Sequence, residues 1–248
     1  MLKKERHAYI LKQINLHNKV LSTDLCAQLN VSEDTVRRDL QELHDERKLN
    51  KVHGGALSKS FNFTLLQAEV YAAPQKQIIA KKAASLIKDG MLVLLSGGTT
   101  ILELVRCLPD DLNATFITVS LPVALELLKH PAGEVIFLGN KLVKDSQIAV
   151  GAEVIQRLAG INADLCFLGT NSIDPEKGIT DIDWEVIEVK KAIIKAANKI
   201  VALSIAEKLN TSKRLQVCKL NEIDILITEL SPNDSLLTSY IKKGIEVL

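Results

Sequence analysis

Cysteine is scarce in this chain. Among 248 residues there are only Cys26, Cys107, Cys166 and Cys218, which lie far apart and within apolar patterns. No Cys-x-x-Cys pair and no Cys/His group has metal-ligand spacing. The sequence therefore predicts buried free thiols rather than a disulfide framework or a metal site. We also expect no cofactor.

Long apolar runs and a strong charge of one sign are absent too. No run approaches the roughly 20 apolar residues of a transmembrane helix, and no apolar signal segment follows the first residue. We therefore expect a cytoplasmic protein with no membrane partner. The net charge is only +1, yet residues 1–57 hold ten Lys and Arg against eight Asp and Glu, and the rest hold 21 against 22. This weak asymmetry is compatible with a nucleic-acid-binding head on a separate body.

The segment over residues 32–43 has the pattern of a DNA-recognition helix. Ser32 is a favourable N-cap, and the two acidic residues after it lie in the first turn, where the helix dipole favours negative charge. Val36, Leu40 and Leu43 recur at i, i+4 and i+7 and predict one buried stripe. Arginines at 37 and 38 point away from that stripe, in the half of the helix that helix-turn-helix proteins insert into the major groove.

The flanking segments complete a winged helix-turn-helix. A first helix is predicted within residues 3–16, and Ser22 is expected to cap a short second helix. Asn30 tolerates the left-handed conformation needed in the turn before the third helix. Residues 49–56 alternate in character and end in two glycines, which predicts a β-wing. The whole unit is expected to occupy residues 1–57.

The predicted DNA contacts lie on the recognition helix and on the wing. They are Ser32, Thr35, Arg37, Arg38, Lys51 and His53. Arginine bonds guanine bidentately or anchors phosphate, and the sequence does not say which arginine does which. The alternative is that an arginine only pairs with Glu33, Asp34 or Gln41 on the helix surface.

The N-terminal motifs resemble those of the DeoR family of bacterial transcriptional regulators. The resemblance is carried by Arg6 with Ile10 and Ile14, then Ser32-x-x-Thr35-Val36-Arg37-Arg38-Asp39-Leu40, then His53-Gly54-Gly55-Ala56. It implies a DNA-binding head followed by a sugar-phosphate sensor domain. It also implies a homo-oligomer.

The remainder of the chain predicts a Rossmann-like, mostly parallel α/β domain over residues 76–248, with a linker over 58–75. Continuous apolar strands alternating with helices are typical of a sheet covered on both faces. Strands are predicted at 91–96, 115–120, 134–139, 165–170, 200–205, 223–228 and 245–248, and helices at 76–88, 100–108, 122–130, 152–159, 182–198 and 235–243. In the linker, we expect four apolar side chains to be packed against another part of the protein: Phe61, Phe63, Leu65 and Leu66.

The strongest pocket signal is the loop that follows the first of these strands. Gly97, Gly98, Thr99 and Thr100 lead from the strand into a helix. Such a loop presents free N–H groups and the positive end of a helix dipole to an anion. A turn with no ligand is the alternative. The family resemblance favours a phosphate site.

Other strand ends supply polar groups at the same edge of the sheet. The predicted effector contacts beyond the loop are Ser120, Gly139, Asn171, Lys190 and Lys208. A sugar phosphate needs hydroxyl partners and at least one cation. For each lysine a solvated surface position is the alternative, and the resemblance favours Lys208 as associated with the ligand.

Several positions depart from the DeoR pattern. Ser96 and Ile205 stand where the family usually carries Asp, Val186 where it carries Glu, and Asn140 where it carries Gly. These changes remove groups that would bind sugar hydroxyls. Two interpretations stay open, a pocket retuned to a less hydroxylated ligand and a pocket that has partly degenerated.

Isolated histidines and the single tryptophan receive plainer interpretations. We expect His7, His17 and His44 to be surface residues without a role, and Trp184 to help close the sensor domain.

The leading functional hypothesis is a repressor that binds double-stranded operator DNA. A phosphorylated sugar or a related metabolite is expected to control this binding. The protein is not expected to be an enzyme. Sugar-phosphate isomerisation is the runner-up, but it needs a carboxylate base near the loop, and the two family acid positions are Ser96 and Ile205. A purely architectural DNA binder is a third hypothesis.

Overall fold

The computed structural model describes residues 1–17, 19–58 and 70–248. The chain divides into two compact units, Met1–Tyr71 and Ala72–Leu248. The apolar linker residues Phe61, Phe63, Leu65 and Leu66 lie outside the described residues.

The first unit is a three-helix head with a small antiparallel sheet. Its elements are α1 (Lys3–His17), β1 (Lys19–Leu21), α2 (Ser22–Leu29), α3 (Glu33–Asp45), β2 (Leu49–Val52) and β3 (Gly55–Ser58). Strand β3 lies between β1 and β2, and the β2–β3 hairpin forms the wing. The predicted winged helix-turn-helix is confirmed.

Local sequence chemistry determines how the head folds. Ser32 caps α3 by accepting a hydrogen bond from the Thr35 backbone N–H, and Asn30 ends α2 in the left-handed conformation, with φ of 52°. The apolar stripe of α3 packs against Ile10 and Ile14 of α1 in one buried core. The expectation for Ser22 is wrong, because Ser22 is the first residue of α2 and its side chain makes no capping bond.

The second unit contains a seven-stranded sheet. Its elements are α4 (Ala73–Ala84), β4 (Leu92–Leu95), α5 (Thr99–Arg106), β5 (Thr115–Thr118), α6 (Leu121–Leu127), β6 (Glu134–Phe137), β7 (Lys141–Leu142), β8 (Ala149–Val150), α7 (Ala152–Ala159), β9 (Ala163–Gly169), β10 (Ser172–Asp174), β11 (Gly178–Asp181), α8 (Trp184–Lys195), β12 (Ala197–Leu203), β13 (Leu215–Cys218), β14 (Ile225–Ile227), α9 (Thr238–Lys242) and β15 (Glu246–Val247). The sheet order is β15-β14-β12-β9-β4-β5-β6, with every neighbouring pair parallel. The predicted α/β class is confirmed.

The order of the strands reverses near the centre of this sheet, and the region beyond the carboxyl ends of β4 and β9 is called the crevice below. From β4 the chain proceeds outward to β5 and β6, and it then returns to place β9 on the other side of β4. Helices α4 and α5 pack together, and α7 packs with α8. In doubly wound sheets, ligands bind at such a reversal point, beyond the carboxyl ends of the strands. Here that point lies between the ends of β4 and β9.

Two small sheets were not anticipated from the sequence. Strands β10, β11 and β13 form an antiparallel sheet, and β7 pairs with β8. Each of these strands has only two to four residues. Segments this short carry too few residues for a clear period-two pattern.

Three expectations about isolated side chains are wrong. His17 is only 5% exposed and belongs to the head interior. His7 is largely buried, with its side chain 15% exposed beside Asp39 at 3.1 Å. Trp184 is 67% exposed, so it does not close a core. His44 is exposed, as expected.

The described residues include no helix that combines the length and apolar character needed to cross a bilayer.

Candidate DNA interface and effector site

The exposed face of α3 carries Arg37 and Arg38. Both side chains are exposed, and within the described residues neither makes an ion pair or a side-chain hydrogen bond. Gln41, one of the possible partners, instead donates to Asp45 Oδ1 at 2.8 Å. Both guanidinium groups are therefore available to a polyanion such as DNA.

Ser32 and Thr35 form the N-terminal turn of this face. The two hydroxyl oxygens are 2.9 Å apart, and Ser32 Oγ also accepts from the Thr35 N–H at 3.3 Å. Ser32 is exposed and Thr35 is half-buried. The cap therefore fixes the start of the helix while keeping a hydroxyl pair at its accessible end.

The wing residues are connected to the recognition helix. Lys51 Nζ donates to Gln41 Oε1 at 2.8 Å, which links β2 to α3. His53 is exposed in the tight turn between β2 and β3, where Gly54 has φ of +75°. The six predicted DNA contacts thus divide between one helix face and one hairpin.

An ionic cluster missed by the sequence reasoning fixes the orientation of α3 on α1. The Asp39 carboxylate is 2% exposed and accepts from Arg6 Nε at 2.7 Å and Arg6 Nη2 at 3.0 Å. His7 Nε2 lies 3.1 Å from the same carboxylate. Burial opposes ionisation, but the hydrogen bonds from Arg6 and His7 outweigh it and hold the pKa of Asp39 below its ordinary value. The available signal was Asp39 itself, a charged residue one position before Leu40 of the apolar stripe.

In the second unit, the loop after β4 forms one wall of the crevice. Gly98 has φ of +113° and precedes α5, whose first residues Thr99 and Thr100 are each 8% exposed. The first N–H groups of a helix have no acceptor within it, so they face the crevice as donors. The positive φ favours glycine at position 98.

The end of β9 lies directly against this loop. The Gly169 N–H donates to Ser96 Oγ at 2.9 Å. A side chain at Gly169 would meet the Gly97 carbonyl oxygen at 2.5 Å, so the close approach of the two strand ends requires glycine there. Ser96, at a position where DeoR-like chains usually carry Asp, holds the two sides of the crevice together.

Lys190 reaches the same strand end from α8. Its ammonium donates to Asp181 Oδ2 at 2.7 Å and to the Gly169 carbonyl at 3.2 Å. Asp181 Oδ1 also accepts from Asn171 Nδ2 at 2.9 Å. Although burial acts in the opposite direction, the positive charge of Lys190 and these hydrogen bonds lower the pKa of Asp181. Lys190 and Asn171 are therefore at the crevice, and both are bound to a carboxylate that the sequence reasoning did not single out.

Lys208 follows β12 and also points to this edge. Its ammonium donates to the Thr170 carbonyl at 2.8 Å. Desolvation, followed by repulsion from Lys76 and Lys190, lowers its pKa to about 7. Lys208 is half-buried, and its bond to a strand-end carbonyl favours the crevice over a solvated surface position.

Lys76 on α4 is a further basic residue that the sequence reasoning missed. It is 5% exposed, and burial lowers its pKa to about 8, against the opposing influence of Glu103. Its position was readable, because residues 76, 79, 80 and 83 share the buried face of α4. A lysine within that stripe departs from the apolar pattern of a structural helix.

Ser120 and Gly139 occupy different positions relative to the crevice. Ser120 is 1% exposed, and its Oγ would lie 3.3 Å from a Cβ on Gly97, so it borders the loop. Gly139 follows the edge strand β6, four strands from β12. With strands about 4.8 Å apart, that separation is roughly 19 Å. Gly139 is therefore remote from Lys208.

The remaining departures from the family pattern have structural consequences. Ile205 is 2% exposed and Val186 is 4% exposed, so apolar contacts replace acids at both positions. Asn140 Nδ2 donates to Glu153 Oε2. Among the described residues, no group of three or more His, Cys, Asp and Glu side chains could hold a metal ion.

Comparison with protein families agrees with this arrangement of a head and a crevice-bearing sheet. A DeoR-like helix-turn-helix domain matches residues 6–61, and the DeoR C-terminal sensor domain matches residues 72–230. The chain belongs to the DeoR family of transcriptional regulators. The resemblance carried by the N-terminal motifs is confirmed.

Curated relatives match along almost their whole length. The HTH-type transcriptional repressor GlcR of Bacillus subtilis is 32% identical over 251 residues, covering 100% of this chain and 96% of that protein. The HTH-type transcriptional regulator GolR of Listeria innocua is 31% identical, covering 98% and 97% of the two chains. The glycerol-3-phosphate regulon repressor of Haemophilus influenzae is 26% identical, covering 96% and 93%.

Among solved structures, ribose 5-phosphate isomerase A from Methanocaldococcus jannaschii overlaps with 54% of this chain and 52% of its own, at 20% identity and a TM-score of 0.39.

Proposed function

We propose that this DeoR-family regulator represses a carbohydrate-metabolism operon and that a phosphorylated sugar or related metabolite controls its operator affinity. Residues 1–57 bind operator DNA, residues 76–248 bind the effector, and residues 58–75 link them. The proposal rests on one observation: the chain has two basic sites that differ in how far their side chains are buried. Arg37 and Arg38 are exposed without partners in the described residues, whereas Lys76 is buried and Lys208 is half-buried in the domain that holds the sheet crevice.

At the DNA, α3 enters the major groove with its capped end first. Thr35, Arg37 and Arg38 face the base edges and adjacent phosphates, and Ser32 contacts the backbone at the helix start. Lys51 and His53 on the wing contact the neighbouring backbone. The cluster of Arg6 and Asp39 acts on DNA binding indirectly, because it fixes the angle at which α1 presents α3.

At the effector site, the phosphate group lies at the N-terminus of α5. The N–H groups after Gly98 and the hydroxyls of Thr99 and Thr100 donate to it. Lys208 supplies a positive charge, while Asn171 and Lys190 form the opposite wall through Asp181. Ser120 supports the loop from beneath, and Gly139 is the predicted contact with least structural support.

Control requires that the effector bind two conformations with different affinities. It also requires more than one head, because an isolated winged head makes a small interface and gains useful affinity when two act on one operator. We therefore include a homo-oligomer in the proposal. The effector then weakens binding by favouring an arrangement in which the heads do not match the operator spacing.

Fluorescence anisotropy tests the whole proposal. A labelled duplex from the promoter region of the chain's own gene is titrated with full-length protein at two salt concentrations, beside a scrambled duplex of the same length. We expect selective binding of the promoter duplex that is weakened by at least one member of a sugar-phosphate panel. Selective binding that no compound alters would remove effector control. Equal binding of promoter and scrambled duplexes, found again with duplexes from the flanking genes, would contradict operator recognition.

A further inference from the structure

The crevice between β4 and β9 has more positive than negative charge available to a ligand. Lys76 comes from α4, Lys190 from α8 and Lys208 from the segment after β12. Lys190 Nζ and Lys208 Nζ donate to the consecutive carbonyls of Gly169 and Thr170, which places both ammonium groups at the end of β9. Lys76 and Lys190 lower the pKa of Lys208, and Asp181 acts against them.

The nearby carboxylates are already engaged. Asp181 binds Lys190 and also accepts from the Ile182 N–H at 2.8 Å. Glu103, which interacts electrostatically with Lys76, accepts from Arg106 Nη1 at 2.7 Å. Lys208 has a carbonyl acceptor and, within the described residues, no carboxylate at ion-pair distance. Its charge is the least compensated of the three.

Acceptors for ligand hydroxyls are correspondingly few. Ser96 Oγ is occupied by the Gly169 N–H, and Ile205 presents a buried apolar side chain. Glu229, near the end of β14, accepts from the Ala206 N–H at 3.0 and 3.1 Å. A polyhydroxylated ligand gains stability by donating to carboxylates and amides, and these are committed within the protein.

We infer that the crevice selects a small metabolite with two anionic groups, a phosphate and either a carboxylate or a second phosphate, over a singly phosphorylated sugar. One anionic group lies at the N-terminus of α5 and the other beside Lys208. This inference rests on the effector site proposed above and specifies its ligand class.

The charge arrangement explains why a second anion matters. A phosphate at the helix N-terminus interacts chiefly with backbone N–H groups and the helix dipole. The Lys208 ammonium has only a carbonyl acceptor and, within the described residues, no carboxylate at ion-pair distance, so a second anionic group beside it supplies the opposite charge that it lacks. A neutral hydroxyl in that place leaves the charge of Lys208 uncompensated.

Calorimetric titration of the full-length protein without DNA tests the inference at constant ionic strength and pH 7. The probes are 3-phosphoglycerate, fructose 1,6-bisphosphate, glucose 6-phosphate and inorganic phosphate. Fluorescence of Trp184, the single tryptophan, provides a second readout because it begins α8, the helix that carries Lys190. We expect at least one two-anion probe to bind tenfold or more tightly than glucose 6-phosphate. Comparing the first two probes distinguishes a carboxylate from a phosphate as the second group.

Variants connect the preference to the lysine. K208M should reduce the affinity for the two-anion probe tenfold or more. The same change should reduce the affinity for inorganic phosphate less than threefold. K208R should restore most of the affinity for the two-anion probe. K242M is the matched control, since Lys242 is exposed at the end of α9, and it should change nothing. Circular dichroism establishes that each variant is folded.

Other outcomes would overturn the inference in distinguishable ways. If glucose 6-phosphate binds as tightly as the two-anion probes, the ligand class is wrong while a sugar-phosphate effector stands. If no probe binds, the anion site itself is wrong, and operator recognition by the head is unaffected. If K208M and K242M behave alike, Lys208 does not create the preference.

Discussion

The head and the sensor domain of this regulator both carry basic side chains at their candidate sites, but they hold them in opposite ways. Arg37 and Arg38 are exposed and without partners in the described residues. Lys76 and Lys190 are 5% and 7% exposed, and Lys208 is half-buried with a strongly lowered pKa. An exposed guanidinium costs the fold almost nothing, whereas a desolvated ammonium destabilises it until an anion arrives.

This difference predicts how each region responds to substitution. Removing an exposed arginine should alter binding without altering stability. Removing a buried charge should alter stability even without a ligand. The head also contains one buried charged group, Asp39, which provides a test of the rule inside a single domain.

The largest effect is expected for D39A. This change removes the acceptor of Arg6 and His7 and leaves the Arg6 guanidinium without its carboxylate partner, so we expect the head to lose about 3–5 kcal/mol of stability. Hydrogen–deuterium exchange in the full-length protein, followed in peptides from α1 and α3, measures this loss separately from the sensor. D45A, at the exposed end of α3, is the control.

The pH dependence of this cluster has a defined sign. Because the pKa of Asp39 is lower in the folded head than in the unfolded chain, its contribution is present above the unfolded pKa, near 4. That contribution is lost as the pH falls through the folded pKa. Exchange in α1 and α3 that D39A leaves as slow as in the parent would show that the cluster does not hold the helices together.

The two regions also differ in how far the sequence predicts them. In the head, Ser32, Asn30 and the apolar stripe of α3 act locally, and a local pattern was enough to place the helices. In the sensor domain, periodicity predicted the main strands, because buried parallel strands form continuous apolar runs. It could not predict the sheet of β10, β11 and β13, whose pairing joins residues up to 39 positions apart, as for Ile179 and Cys218.

The same limit applies to the candidate effector site. The loop at Gly97 and Gly98 is a local signal and was readable. The pairing of Lys190 with Asp181 depends on a turn and a helix bringing the two together, and Lys76 reaches Lys208 only through the tertiary fold. Side chains that act on one another across the sheet have no sequence spacing to reveal them.

The next largest effect is expected for R37A and R38A. Each should weaken operator binding by about 5- to 150-fold, the range for a base-specific arginine contact of about 1–3 kcal/mol. The melting temperature should change by less than about 2 °C, because neither side chain makes a stabilising contact in the described residues. Anisotropy and thermal unfolding of the same samples measure both quantities, with K242A as the control. Loss of binding accompanied by unfolding would mean that these arginines stabilise the head and do not act only in DNA binding.

A smaller effect concerns the half-buried Lys208. The pKa of Lys208 is about 7 in the folded protein and near 10.4 in an unfolded chain, so the unfolded state binds more protons between these values. Stability should therefore rise with pH, by about 1 kcal/mol between pH 6.5 and 8, or about 2–4 °C in the melting temperature. Lys76, with a pKa of about 8, acts in the same direction at the upper end.

The measurement is thermal unfolding followed by Trp184 fluorescence over pH 6.5–8. Above this window the buried Cys218 acts oppositely, because burial raises the pKa of its thiol to about 12 and folding then disfavours the thiolate. K208M should flatten the pH dependence and K242M should preserve it. If the melting temperature changed equally with pH in both variants, Lys208 would not be the source of the pH dependence.

The smallest effect is expected on the wing, where Lys51 is half-buried and already has a partner. Lys51 Nζ donates to Gln41 Oε1, so binding a phosphate means exchanging one acceptor for another. K51A should weaken operator binding only a few-fold, equally for specific and scrambled DNA, and reduce the slope of log affinity against log salt by about 1. Q41A, which frees the same lysine, should leave that slope unchanged and keep or slightly increase the affinity. Anisotropy at four salt concentrations distinguishes these outcomes. If K51A instead lost selectivity between the two duplexes, Lys51 would read bases. The wing would then contribute to sequence recognition, as proposed for Arg37 and Arg38.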